Sequence, residues 1–246
     1  MGFYDDLADS YDAVTGAADR AEAAEAFADE FVRRFEAHSA VDAACGTGLY
    51  ALALAERGLA VVGADISVGM LDRARRAAED AGAAVQWVHA SMQDLASQLD
   101  GKYDAVLCMG NSLPHLLDDA DLDAAMAGFA ALLAPGGTLA LHLLNYARLV
   151  SEKERIVGVT RHGDTEYVRF YDFLPGRVRF NILEIEWEGQ ACQNQLSSTE
   201  LRPWFLEDLA PALARHGLGD IAAFGDLVFT PFSAQQSDSL LILARR

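Results

Sequence analysis

Two acids and two glycines raise the first question of chemistry. Asp42 opens the run Asp42-Ala43-Ala44-Cys45-Gly46-Thr47-Gly48, and Asp65 follows Gly48 by 17 positions. Glycine lets a backbone take positive φ and lie close to a ligand. Where such a turn serves a dinucleotide, it hands a pyrophosphate to a helix N-terminus. A carboxylate directly before the glycines is unhelpful to pyrophosphate and useful to an ammonium group. Asp65 is spaced to accept hydrogen bonds from both hydroxyls of a ribose. The set asks for a nucleoside that carries an amino group and no phosphate.

S-Adenosylmethionine has that chemistry: an ammonium, a sulfonium and a ribose. NAD(P) shares the ribose, but Ala51 stands where its fingerprint prefers a third glycine. Displacement at a sulfonium methyl asks a protein mainly to align nucleophile, carbon and sulfur, and such positioning contributes about 7–11 kcal/mol. An amine needs only to arrive deprotonated; a phenol or alcohol needs a base. Asn111 and His115 are the candidates for this catalytic work. The Asn111 amide can both donate and accept toward an acceptor, or it can cap the next turn. His115 suits a base, with an ordinary pKa of about 6.5, or a structural histidine on a loop. His142 suits the core as well as a site. Tyr4 and Tyr11 suit a lid, or the packing of an N-terminal helix.

The elements that must position these residues follow from periodicity. Apolar runs at 40–44, 59–65, 83–90, 103–110 and 138–145 read as strands, with helices over 49–58, 68–82 and 121–137 between them. Ser67 is placed to cap the second helix and Gly82 to end it; Pro135 and Gly136 are expected to stop the third. Continuous apolar strands separated by helices predict a parallel sheet covered on both faces. Asp42 and Asp65 then sit at the C-terminal ends of strands, where open α/β sheets bind ligands. Over 155–200 the pattern changes to period two, as in TEYVRFYDF and RVRFNILEIEWEG. That segment reads as antiparallel strands added to the core, a β-rich cap over the acceptor pocket. A helix over 206–217 and strands near 220–226 and 238–246 complete the chain.

Composition narrows the partners. The 246 residues suit one domain. Asp plus Glu number 37 against 19 Lys plus Arg, a net charge of -18. Such a surface repels phosphate backbones, so no nucleic-acid partner is expected, and a cationic ligand or amine is better tolerated. Cys45, Cys108 and Cys192 are scattered, with no CxxC pair, so neither a disulfide framework nor a metal site is expected. The acidic start MGFYDDLADSYD is unlike a signal peptide. No apolar run reaches the ~20 residues that cross a bilayer. A cytoplasmic location with no membrane partner is the expectation, as monomer or homodimer.

The stretch VDAACGTGLYALALAERGLAVVGADISVGML resembles the cofactor-binding half of class I S-adenosylmethionine-dependent methyltransferases. FYDDLADSYDAVT resembles a lead-in that many of them share. YDAVLCMGNSLPHLL with LLNYA resembles the glycine N-methyltransferase and small-molecule N-methyltransferase branch. The resemblance covers residues 3–147 well, and 155–200 only in kind. It implies a Rossmann-like α/β fold: a mostly parallel seven-stranded sheet with helices on both faces and an inserted antiparallel β-rich cap. It implies one methyltransferase domain over 1–246, with a helical lid at 1–38, a cofactor-binding core at 39–147 and the cap at 155–200. Ala44, Gly46 and Gly48 would pass under the methionine part, near Asp42. Asp65 would hold the ribose, with Ile66 and Met70 near the adenine. Ser91 and Met92 would meet the adenine edge and face; many members carry Asp at position 91, and serine is a weaker acceptor. Cys108, Met109 and Gly110 would lie beside the methionine moiety. Tyr11 and Arg20 match an N-terminal aromatic and an arginine that pairs with the cofactor carboxylate. The glycine-methylating enzymes hold their substrate carboxylate with an arginine just before the NY dipeptide. Leu144 stands there instead, so glycine is not the expected acceptor unless another cation serves, for which the cap offers Arg161, Arg169, Arg177 and Arg179, residues more often exposed on strands. The leading expectation is a methyltransferase acting on nitrogen or oxygen of a small molecule. The alternatives are a non-catalytic protein that binds S-adenosylmethionine and, behind it, an NAD(P) oxidoreductase.

Overall fold

The apolar runs of the first two thirds of the chain become neighbouring strands of one sheet. A computed structural model describes residues 3–7, 11–189 and 191–246; residues 1–2, 8–10 and 190, and so parts of the expected lid and cap segments, lie outside the described residues. Helices α1 (Phe3–Leu7), α2 (Tyr11–Thr15) and α3 (Ala17–Phe35) lead in. The chain then alternates through β1 (Ser39–Ala43), α4 (Leu49–Glu56), β2 (Ala60–Asp65), α5 (Val68–Ala81), β3 (Val85–His89), the single turn α6 (Leu95–Gln98), β4 (Tyr103–Cys108), α7 (Asp119–Leu132) and β5 (Leu133–Leu144). A short α8 (Tyr146–Glu152) leads to β6 (Ile156–His162), β7 (Thr165–Leu174), β8 (Arg177–Glu188) and β9 (Ala191–Leu201). Last come α9 (Leu206–Arg215), β10 (Gly219–Phe224) and β11 (Ser239–Arg245).

The main sheet has the order β10-β11-β5-β4-β1-β2-β3. Strands β1 to β5 pair in parallel, and β11 is antiparallel to both β5 and β10. The chain enters at β1, runs outward to β3, then returns to β4 on the other side of β1. Crossovers diverge at that point, and a crevice opens above the C-terminal ends of β1, β2 and β4. Both faces of the sheet are covered. Leu95, Met126, Phe129, Leu209 and Leu213 from α6, α7 and α9 fill one face, and Phe27, Phe31 and Leu54 from α3 and α4 fill the other.

Local punctuation behaves as its chemistry dictates. The Ser67 hydroxyl accepts from the Met70 N–H at the start of α5, and Gly82 ends that helix at φ 63°. The expected helix over 121–137 is shorter: it stops at Leu132, and β5 begins at Leu133. Pro135 pushes the residue before it toward extended backbone, so the apolar Leu133-Ala134 joins the strand instead of the helix.

Strands β6 to β9 form a separate antiparallel sheet in sequence order. It stands by the C-terminal ends of the main strands. Arg202 N–H donates to Pro114 C=O at 2.8 Å, and Trp204 Nε1 donates to Leu116 C=O at 3.0 Å, just past β4. Tyr167 and Ile182 on this sheet bury Leu7 and Val14, tying α1 and α2 to it. The α1 helix is tied to the core as well, where Ser67 Oγ donates to Asp5 at 2.5 Å.

Candidate functional site

The turn after β1 is built on left-handed backbone: Ala44 at φ 60°, Gly46 at 56° and Gly48 at 86°. Asp65, at the end of the neighbouring strand, holds it. One carboxylate oxygen accepts from Gly46 N–H and the other from Ser67 N–H, both at 2.8 Å. Each oxygen keeps lone-pair capacity for a further donor. Burial raises the Asp65 pKa, against the pull of the Ser67, Gly46 and Ile66 backbone.

Above this turn lies a cavity of about 210 Å³. Asp42, Ala44, Gly46, Asp65 and Ile66 form its floor and one wall; Met70, Met92, Met109 and Gly110 continue it. Tyr11, Arg20 and His115 border it too, so these twelve expected site residues share one space. Cys45, Leu49, Tyr50, Ser112 and the lid candidate Tyr4 complete the lining. Leu49 and Tyr50 open α4 directly after the glycine turn. Their position in the first helical turn was the signal available for them, and their apolar character hid it.

Four expected residues do not border the cavity. Gly48 is glycine for a different reason: a Cβ there would come 2.8 Å from Trp87 Cη2 and 3.0 Å from the Ala74 Cβ, at a positive φ. Ser91 Oγ donates to Asp94 at 2.8 Å, and the Asp94 N–H donates back to it. Cys108 is fully buried, 3.6 Å from Met92 Sδ. Asn111 is engaged at both ends of its amide. Its Nδ2 donates to the Tyr146 hydroxyl at 3.2 Å, and its Oδ1 accepts from Leu144 N–H at 3.1 Å. It ties the ends of β4 and β5 together and does not line this cavity. Leu144 borders a neighbouring cavity with Arg148 and Glu152.

Two features of the cavity are electrostatic. Asp42 is buried, and neither of its oxygens has a hydrogen-bond partner of normal geometry. Burial above all, then the charge of Asp65, pushes its pKa to about 8, against a weak pull from the Ala51 backbone. At the roof, the Tyr4 hydroxyl lies 2.7 Å from His115 Nε2, with the rings edge to face. Burial lowers His115 to about 4 and raises Tyr4 well above its usual range, so both are neutral at pH 7. Arg20 donates to Thr15 Oγ1 at 2.7 Å and lies over the Tyr11 ring, 5.0 Å from its centroid. It is the one cation among the described residues that border the cavity. No group of three His, Cys, Asp or Glu among the described residues could hold a metal ion.

Residues 40–137 match the family model of a methyltransferase domain. A glycine/sarcosine N-methyltransferase of Halorhodospira halochloris is 33% identical over 190 residues, 72% of this chain and 71% of that protein. A glycine/sarcosine N-methyltransferase of Parasynechococcus marenigrum is 36% identical over 148 residues, 60% of this chain. There the chain spans about half the length of its relative, 52%. A solved S-adenosylmethionine-dependent methyltransferase of Clostridium acetobutylicum superposes with a TM-score of 0.81 over 99% of both chains, at 19% identity, a likeness of fold.

Proposed function

We propose that the chain, which belongs to the class I S-adenosylmethionine-dependent methyltransferases, moves a methyl group from that cofactor to a small-molecule acceptor, a nitrogen before an oxygen. The observation that carries the reading is Asp42, a buried carboxylate on the cavity wall with both oxygens unpartnered. An unpaired buried acid is costly, and an amino group lodged against it supplies the missing partner. The other residues fit the rest of the cofactor. Arg20 would pair with its carboxylate and Asp65 with its ribose. Ile66, at 67% exposure an unusually bare apolar side chain, would be covered by the adenine together with Met70 and Met92.

When bound, S-adenosylmethionine supplies a methyl group already activated by its sulfonium. The protein's share is to bind, align and exclude water. Helices α1 and α2 carry Tyr4 and Tyr11 and act as the lid, with the second sheet behind them as the cap. His115, lowered to about 4, does not keep a proton at neutral pH. It orients an acceptor hydrogen or the Tyr4 hydroxyl and does not act as a strong base. An amine that arrives neutral is therefore favoured over a phenol or alcohol. With Arg20 assigned to the cofactor carboxylate, no second cation among the described residues borders the cavity to receive an acceptor carboxylate. That, more than Leu144, speaks against glycine.

The test is a panel of amines, phenols and amino acids assayed for S-adenosylhomocysteine release, beside calorimetric titration of Asp65→Ala with S-adenosylhomocysteine. Loss of two hydrogen bonds to a charged acceptor costs about 3 kcal/mol, a ~100-fold loss of affinity. Unchanged affinity would remove the ribose assignment. Fast methylation of glycine by the unmodified protein would overturn the acceptor class.

A further inference from the structure

A second cavity, of about 420 Å³, lies beside the first. That size suits a small ligand (about 300–1,000 Å³). The two meet at the end of β5. Leu144 lines the second, and its N–H donates at 3.1 Å to Asn111, the residue after Gly110 on the wall of the first. One wall is apolar: Leu144, Leu149, the Tyr171 ring, and Ile156 and Val157, which stand 55% and 43% exposed. Tyr171 is only 5% exposed, and its hydroxyl has no hydrogen-bond partner among the described residues. A buried hydroxyl left without a partner costs free energy, and a ligand in this cavity supplies one. The Tyr4 hydroxyl, at the roof of the first cavity, senses that of Tyr171, so this ring bears on both spaces.

The opposite rim is acidic. Arg148 is the one cation among the described residues that border this cavity, and it is spent on Glu152 at 3.1 Å and on Asp238. Glu154 is exposed and makes no ion pair among the described residues. Lys153 and Arg155 flank it in the chain, but neither borders the cavity, and Arg155 pairs with Asp172 at 2.6 Å. Three carboxylates against one guanidinium leave a negative surplus, which attracts a cation and repels a carboxylate. We propose that this cavity holds the body of the acceptor: an amine on an apolar chain that carries a second, cationic group at its far end. This rests on methyl transfer to an amine and adds what the amine is attached to. The apolar wall takes the chain, Glu154 takes the far cation, and the Tyr171 hydroxyl bonds the reacting end. There a neutral nitrogen gives its lone pair to the methyl carbon, the C–S electron pair returns to sulfur, and the surplus N–H proton leaves to water.

Turnover of α,ω-diaminoalkanes, monoaminoalkanes and ω-amino acids of matched length, at saturating S-adenosylmethionine, tests this. Diamines should exceed monoamines about fivefold per amino group in kcat/KM, through KM, the upper end for one exposed ion pair; the ω-amino acids should fall below both. Glu154→Gln should cancel the preference for diamines, and Glu154→Lys should turn it toward the ω-amino acids. Glu154 does not border the cofactor cavity, so S-adenosylhomocysteine affinity serves as the folding control. Tyr171→Phe keeps the ring and should raise KM for a diamine about fivefold for one lost hydrogen bond, with cofactor affinity kept. Diamines and monoamines used alike, or a preference that survives both Glu154 substitutions, overturns the inference and leaves methyl transfer to amines standing. Turnover of phenols alone fails the amine reading itself. Calorimetry of a diaminoalkane with the S-adenosylhomocysteine complex then decides the cavity: binding that Glu154→Lys abolishes upholds it as a site for such cations, and no binding overturns it.

Discussion

Asp42 shows how much one side chain can report. With its pKa pushed up to about 8 by burial, it is largely protonated at neutral pH. A nearby ammonium favours the charged form of a carboxyl. Cofactor binding should therefore release close to one proton at pH 7 and few at pH 9, read by calorimetry in two buffers of different ionisation enthalpy. Asp42→Asn should abolish the release and weaken binding by about 1.5–3 kcal/mol. Equal heats in both buffers for the wild type would move the ammonium elsewhere. The Tyr4–His115 contact makes a second residue-level case. Tyr4→Phe removes a hydroxyl and keeps the ring, so turnover should fall, by about tenfold for one lost orienting hydrogen bond, with cofactor affinity nearly unchanged. A fall in affinity alone would make Tyr4 a cofactor contact. That Asp42 and Asp65 border the cavity was legible in the sequence because both close predicted parallel strands, the ends at which open α/β sheets form their crevice. The place of Asn111 was not, because its type announces donors and acceptors but not that Tyr146 and Leu144 already occupy them.

At the scale of elements, the glycine turn is held as firmly by the fold as by any ligand. Trp87 on β3 reaches across β2 onto Gly48, and a Cβ at Gly63 would come 2.3 Å from its ring. Gly48→Ala meets both a left-handed φ and that ring, and should cost about 2–4 kcal/mol in urea denaturation. Adding Trp87→Leu to Gly48→Ala should remove the ring clash while leaving the backbone penalty. If Gly48→Ala kept full stability yet lost cofactor affinity, the glycine would belong to the ligand after all. The alternation of strands and helices was readable because parallel strands buried on both faces are continuous apolar runs. Period two gave away β7 and β8 for a similar reason. The helix α7 ends five residues before the 137 that Pro135 and Gly136 predict, because the strand has already begun at Leu133. Nothing in the sequence announced α8, whose cap, Asn145, spends its amide on the Ser233, Ala234 and Ser237 carbonyls of a distant loop.

For the molecule as a whole, buried titratable groups pull stability in opposite directions. His115 and His142 are both lowered to about 4 by burial. Between that value and about 6.5 the unfolded chain binds more protons than the native one, so their contribution is intact above 6.5 and is lost as pH falls. Asp42 is raised to about 8. Between about 4 and 8 the native state holds a proton that the unfolded chain has given up, so its contribution is lost as pH rises. At pH ~6.5 the two unfolded histidines bind about one proton between them, matching the one on Asp42. Without added ligand the protein should therefore be most stable near pH 6.5, with its melting temperature falling on both sides. The acid limb amounts to a few kcal/mol by pH 4, of order 2–3 per histidine with Asp42 offsetting part. Asp42→Asn should erase the alkaline limb and leave the acid limb in place. Saturating S-adenosylhomocysteine should flatten the alkaline limb also, because its amino group keeps Asp42 ionised in the native state. Melting scans from pH 4 to 9 on wild type and variant, each with and without ligand, measure all four curves. An alkaline limb that survives Asp42→Asn would assign it to another buried group, with Asp65, the other carboxyl raised by burial, the first to examine.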